Sequence, residues 1–185
     1  MLALLAIATG LMGCASHILK EEQRGHFTRM NALTVNYEKK ASLSGRYTSV
    51  TDANIQAKHL DWSRHIAQKQ EDMPVLLMHL ENGLNRFLVP ALANRNVRVL
   101  AEKVDGADGQ LRIKPAGFTV ECGSLNLICT SKMQVEVSLV DHRQGDALWT
   151  AKFSVGKEFG STQTEEVLQK FYAQVVDRLI QMQAI

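Results

Sequence analysis

The polar and apolar positions of this chain fall into two periods, and those periods place most of its elements. In the second half, Met133, Val135, Val137 and Leu139 alternate with Gln134, Glu136 and Ser138. A period of two is the mark of a strand with one buried face. Trp149, Ala151, Phe153 and Val155 repeat the pattern after the turn-forming segment 141–147, DHRQGDA, so the two runs predict an antiparallel hairpin. Leu111 and Ile113 lead to Pro115, and Phe118, Val120 and Cys122 alternate after it, predicting further strands. Leu33, Val35 and Tyr37 alternate near the start, and Val97 and Val99 open another short strand. The spacing changes to three and four at Leu76, Leu80, Leu84, Phe87, Leu88 and Leu92, which predicts a helix opened by Asp72 as N-cap with Pro74 in its first turn. Gly83 and Pro90 are expected to weaken or kink it, and Asn94 and Asn96 to end it. A closing helix is predicted from a Thr162–Glu165 capping box and the stripe Leu168, Phe171 or Tyr172, Val175, Leu179, Met182. Residues 40–51 read as a Ser/Thr/Gly-rich loop, and Thr51 or Asp52 as the cap of a short helix over 53–70.

The order β–α–β–β–β–β–α predicts an α+β fold: a largely antiparallel four- to five-stranded sheet with helices packed on one face, a two-layer sandwich. The stripe of the 75–92 helix is widened by Leu77, Met78 and Val89, and burial in the core is the favoured account of that width over a docking surface.

Composition adds little to this picture. With 45% hydrophobic and 22% charged residues over 185 positions, the chain suits an ordinary folded domain. Its 21 basic and 19 acidic residues are interspersed, and no basic stripe with interleaved aromatics marks a nucleic-acid partner.

The N-terminus changes the picture. Met1–Gly13 carries no charge and runs up to Cys14, and the sequence Leu11-Met12-Gly13-Cys14 resembles a bacterial lipobox. The run is shorter than the roughly 20 apolar residues that span a bilayer, which favours a cleaved signal peptide over a membrane helix. It lacks the basic residues that usually precede such a run, and a start codon further upstream would supply them. The expected organisation is a signal peptide over 1–13, a lipidated flexible tether over 14–30 and a single periplasmic domain over 31–185. The tether is polar and aperiodic, with a reach of roughly 20–25 Å. Acyl chains such as palmitate on Cys14 would anchor the protein. Ala15 after Cys14 replaces the Asp that retains many lipoproteins at the inner membrane, so the periplasmic face of the outer membrane is the expected location. The oxidising periplasm also frames the other two cysteines, Cys122 and Cys129 in ECGSLNLIC, as a disulfide pinning a hairpin, with two free thiols on a strand as the alternative.

Candidate chemistry is sparse. His59 and His65 are six apart, about 120° around a helix, and cannot share a metal. Asp61 and His65 face each other at a spacing of four but have no nucleophile in reach, since Ser63 points elsewhere. The loop Asp105-Gly106-Ala107-Asp108-Gly109 lacks the ligand spacing of a calcium loop and has Ala116 where the bidentate Glu belongs, so it reads as a turn. Phosphate-loop, dinucleotide, zinc and nucleophile-elbow motifs are absent from the sequence. No catalytic residues, cofactor or metal are therefore expected.

The lipobox, the long helix before a strand, and the segment VEVSLVDHRQGDALWTAKFSV (135–155) followed by a C-terminal helix resemble a broad group of bacterial envelope lipoproteins. The group includes ABC-transport auxiliary lipoproteins, the lipopolysaccharide-assembly lipoprotein and lipoprotein activators of peptidoglycan synthases. The resemblance spans residues 72–185. It implies a non-enzymatic accessory or scaffolding role in envelope transport or assembly, through contacts with protein subunits of an envelope complex. A carrier of lipid or another small ligand, using a crevice between helix and sheet, is the alternative, and a periplasmic hydrolase is a third, less favoured reading.

Overall fold

In the computed structural model, residues 16–38, 44–49, 72–101, 105–122, 129–158 and 164–185 are described. Seven strands among them form one sheet: β1 Ser16–Gln23, β2 Ala32–Tyr37, β3 Ser44–Ser49, β4 Arg98–Leu100, β5 Gly109–Cys122, β6 Cys129–Asp141 and β7 Ala147–Glu158. Two helical stretches accompany them. The first is continuous through α1 (Asp72–Gly83), a π turn (Leu84–Leu88) and α2 (Val89–Ala93); the second is α3 (Thr164–Gln181).

The α+β class is as read from the sequence, and the sheet is larger and more mixed. Its main path is β1-β7-β6-β5-β2-β4, with β3 also on β5. The segment β1-β7-β6-β5 is antiparallel, whereas β2 pairs with β4 and β5, and β3 with β5, in parallel. Parallel neighbours need a crossover, and the helix between β2 and β4 supplies one. On the same edge of β5, β2 lies along Gly109–Ile113 and β3 along Gly117–Cys122, so the seven steps from Tyr37 to Ser44 cover only four on β5. The loop expected over 40–51 therefore contains a strand at Ser44–Ser49. Pro115 does not end β5: the register shifts between Pro115 and Gly117, and this bulge carries Ala116 without breaking the strand.

The expected tether is a second correction. Ser16–Gln23 is the edge strand of the sheet, paired with β7. Arg24 N–H donates to the Leu148 carbonyl, and Met30, fully buried, donates its N–H to the Ala184 carbonyl. The polar character of SHILKEEQ concealed it, because an edge strand presents most of its side chains to water. The helix expected over 53–70, with His59, Asp61, Ser63 and His65, lies outside the described residues, as does Thr162 of the expected capping box.

The central hairpin follows the period of two closely. Leu139 faces Trp149, Val137 faces Ala151, Val135 faces Phe153 and Met133 faces Val155, and all eight are buried. Leu168, Phe171, Tyr172, Val175 and Leu179 of α3 cover them, while Glu136 and Lys152 lie on the half-exposed opposite face.

The first helix bends its hydrogen bonding and does not stop. Val89 N–H donates to the Leu84 carbonyl, one residue further back than in an α-helix. That shift falls just before Pro90, whose ring would collide with the preceding turn and which has no N–H to give it. The Asn94 N–H then returns to the Pro90 carbonyl at 3.0 Å, and Asn96, at φ 62°, ends the helix.

Candidate functional site

Three places in the fold bear on function: the start of β1, the far end of the β5–β6 hairpin, and the interior between helices and sheet.

The start of β1 is tied to both layers. Ser16 is the register partner of Val155, and its hydroxyl donates to Gln174 Oε1 at 2.5 Å, while Gln174 Nε2 donates to the Ser16 carbonyl at 2.9 Å. Further along, Glu21 accepts from Trp149 Nε1 at 2.8 Å and pairs with Arg178 at 3.0 Å. The indole N–H of a fully buried tryptophan thus finds its partner on the edge strand, a contact the sequence does not announce. Cys14 lies outside the described residues, two positions before Ser16.

At the hairpin end, Cys122 and Cys129 are direct register partners across β5 and β6. Opposed residues of an antiparallel pair have Cα atoms about 4.5 or 5.5 Å apart, and both distances lie within the span of a disulfide.

The interior is filled by aromatic rings. Trp149 and Phe153 meet edge-on with centroids 6.5 Å apart, Phe153 and Phe171 at 5.2 Å, and Phe171 and Tyr172 at 4.8 Å. All four are fully buried. The Tyr172 hydroxyl donates to the Leu80 carbonyl, and its ring lies over Gly83, where a Cβ would come within 2.6 Å of it. Burial pushes the Tyr172 phenol well above its ordinary range, and pushes that of Tyr37 up to about 12, with the Glu81 carboxylate adding to the effect.

The DGADG loop is a turn, as its sequence predicts, with a structural task. The Asp108 carboxylate accepts from the Asn31 and Ala32 amides at 2.7 and 3.0 Å and pairs with Arg143 at 3.2 Å. These donors, the Asn31 amide foremost, hold its carboxyl below the usual range. The loop thereby fastens the start of β2 to the β6–β7 turn. Among the described residues no group of His, Cys, Asp and Glu is arranged to hold a metal, and no helix is long and apolar enough to cross a membrane. Of the residues that widen the helix stripe, Met78 is exposed and Val89 half-buried, so the stripe is only partly core.

No protein-family model matches the chain, and no curated protein matches it. Solved structures with a similar course of chain include the PelC dodecamer from Paraburkholderia phytofirmans, at 15% identity and TM-score 0.44, covering 92% of this chain and 99% of that one. A DUF330 protein from Xanthomonas campestris aligns at 12% identity and TM-score 0.45, covering 85% and 87%. A minor lipoprotein from Acinetobacter baumannii aligns at 12% identity and TM-score 0.40, covering 81% and 91%. At these values the likeness assigns neither family nor activity.

Proposed function

We propose that the protein is a lipid-anchored periplasmic lipoprotein of the outer membrane and a non-enzymatic accessory subunit of an envelope transport or assembly system. The observation that carries the anchoring is the uncharged run Met1–Gly13 ending in Leu11-Met12-Gly13-Cys14. A single acyl chain binds membranes only marginally, so stable anchoring requires the several chains of a mature lipoprotein on Cys14. A scaffolding role is favoured over a ligand carrier by the interior. The four buried rings, meeting edge-on or tilted, lie between helices and sheet, where a carrier's lipid would sit. The exposed side chains of both layers remain for protein partners.

The experiment is expression of the full precursor, wild type and Cys14→Ser, with radiolabelled palmitate. The wild type is expected to take up label, lose residues 1–13 and fractionate with the outer membrane; Cys14→Ser is expected to stay unlabelled and unprocessed. Label in the variant, or none in the wild type, refutes the anchoring. Gentle solubilisation of the labelled protein should bring envelope subunits with it, whereas recovery of a stoichiometric lipid in the folded domain would favour the carrier.

A further inference from the structure

We propose that one end of the domain, formed by the start of α3 and the ends of β5, β6 and β7, sits in the headgroup layer of the membrane. The inference rests on lipidation of Cys14.

The argument is one of lengths. Ser16 is already in the sheet, so Ala15 and Cys14 are the whole link between the folded domain and the lipid. Two residues span at most about 7 Å. The described elements run further than this in the same direction. Ser16 is level with Val155, and β7 continues to Glu158. Val155 is level with Met133, and Met133 with Phe118, from which β6 and β5 continue four residues each to Cys129 and Cys122. At about 3.3 Å per residue the strands project roughly 10–13 Å beyond Ser16.

The helical layer projects on the same side. Gln174 is hydrogen-bonded to Ser16, and Arg178 to Glu21, so α3 runs alongside β1 with its N-terminus toward the anchor. Thr164 lies ten residues before Gln174, about 15 Å at the helical rise. The anchor therefore attaches to the side of the domain, short of its end. With Cys14 at the membrane surface and the strands upright on it, the described ends pass the level of the cysteine by at least roughly 3–8 Å. The headgroup region of one leaflet is about 5–7 Å deep, so the described strand and helix ends reach into it. The exposed Glu165, Glu166, Gln169 and Lys170 suit a hydrated zwitterionic layer and not the hydrocarbon below. The β6–β7 turn at Gln144 is on the opposite side, far from lipid.

The test places a photo-crosslinking amino acid at Glu166 or at Gln144, both exposed, in the full precursor expressed in bacteria with labelled palmitate. A phospholipid adduct is expected at Glu166 and not at Gln144. A Gly/Ser spacer of about twelve residues between Ala15 and Ser16, with a mean reach of roughly 20 Å, should abolish the Glu166 adduct while palmitate labelling persists. Labelled protein with no adduct at Glu166, with equal adducts at both positions, or with an adduct that survives the spacer overturns the inference. Absence of palmitate overturns the lipoprotein reading beneath it.

Discussion

Replacing Gly83 with alanine isolates the contact that joins the two helical segments. Gly83 has ordinary helical angles, φ −62° and ψ −25°, so alanine there meets no backbone strain. Helix propensity alone would then make Gly83→Ala stabilising by about 0.5–1 kcal/mol. The structure opposes this. The new Cβ would lie 2.6 Å from a ring carbon of Tyr172, closer than carbon atoms approach, while its contact with Phe87, at 3.5 Å, is ordinary. Tyr172 has little freedom to retreat, being held by its hydroxyl on the Leu80 carbonyl and by Phe171 at 4.8 Å. Overpacking of this kind costs about 1–3 kcal/mol. The net expectation is a loss of about 1–2 kcal/mol, or a fall of roughly 3–6 °C in Tm for a domain of this size. Urea and thermal melts of four proteins decide the matter: wild type, Gly83→Ala, Tyr172→Leu and the double variant. In the Tyr172→Leu background the ring is gone, and Gly83→Ala should become neutral or stabilising. A more stable single Gly83→Ala variant refutes the reasoning, and so does an equal penalty in both backgrounds.

Trp149→Ala should cost about 3–5 kcal/mol by urea melt, and Lys152→Ala, on the half-exposed face, under about 0.5 kcal/mol; equal losses would overturn the assignment of faces. Protein isolated from an oxidising compartment should carry a Cys122–Cys129 disulfide, worth at most a few kcal/mol, and two alkylatable thiols at these positions in the unreduced protein would disprove it. Tyr37 and Tyr172 hold their protons more tightly when folded than the ordinary phenol does. Their contribution is complete below pH 10 and falls as pH rises, Tyr37's share across about 10–12, so on the alkaline side melts should show stability declining above pH 10. A flat profile across that range would contradict it.

The buried half of this fold was the legible half. Hairpin and helix stripes are read from period alone because the core enforces it, from Met133 to Leu139 and from Leu168 to Leu179. What escaped was held together by backbone. Ser16–Gln23 and Ser44–Ser49 carry few apolar side chains, and their places are set by hydrogen bonding to β7 and β5. The parallel arrangement of β2, β3 and β4 was equally hidden, since pairing direction depends on crossovers and not on side-chain alternation. By sequence alone Gly83 is a weak point of the helix, whereas the ring of Tyr172 requires its missing side chain. No local signal links two residues so far apart in the chain. Of the candidate site residues, Cys122, Cys129 and the Asp105–Gly109 loop lie within the described fold; Cys14, His59 and His65 fall outside it.

The pairing of β1 with β7 also sets a schedule. A chain that emerges N-terminus first carries Ser16–Gln23 for well over a hundred residues before Ala147–Glu158 exists to receive it. The hydrogen bonds to Gln174 and the ion pair to Arg178 arrive later still. Contacts so distant in sequence close slowly. Throughout that interval the segment has no partner strand, and under the lipidation proposed for Cys14 this leaves the residues beside it open to a processing peptidase and an acyl transferase. Docking of β1 on β7 then ends that exposure. The first described strand of the sheet thus waits for the last, and that edge of the fold closes only once nearly all of the chain is present.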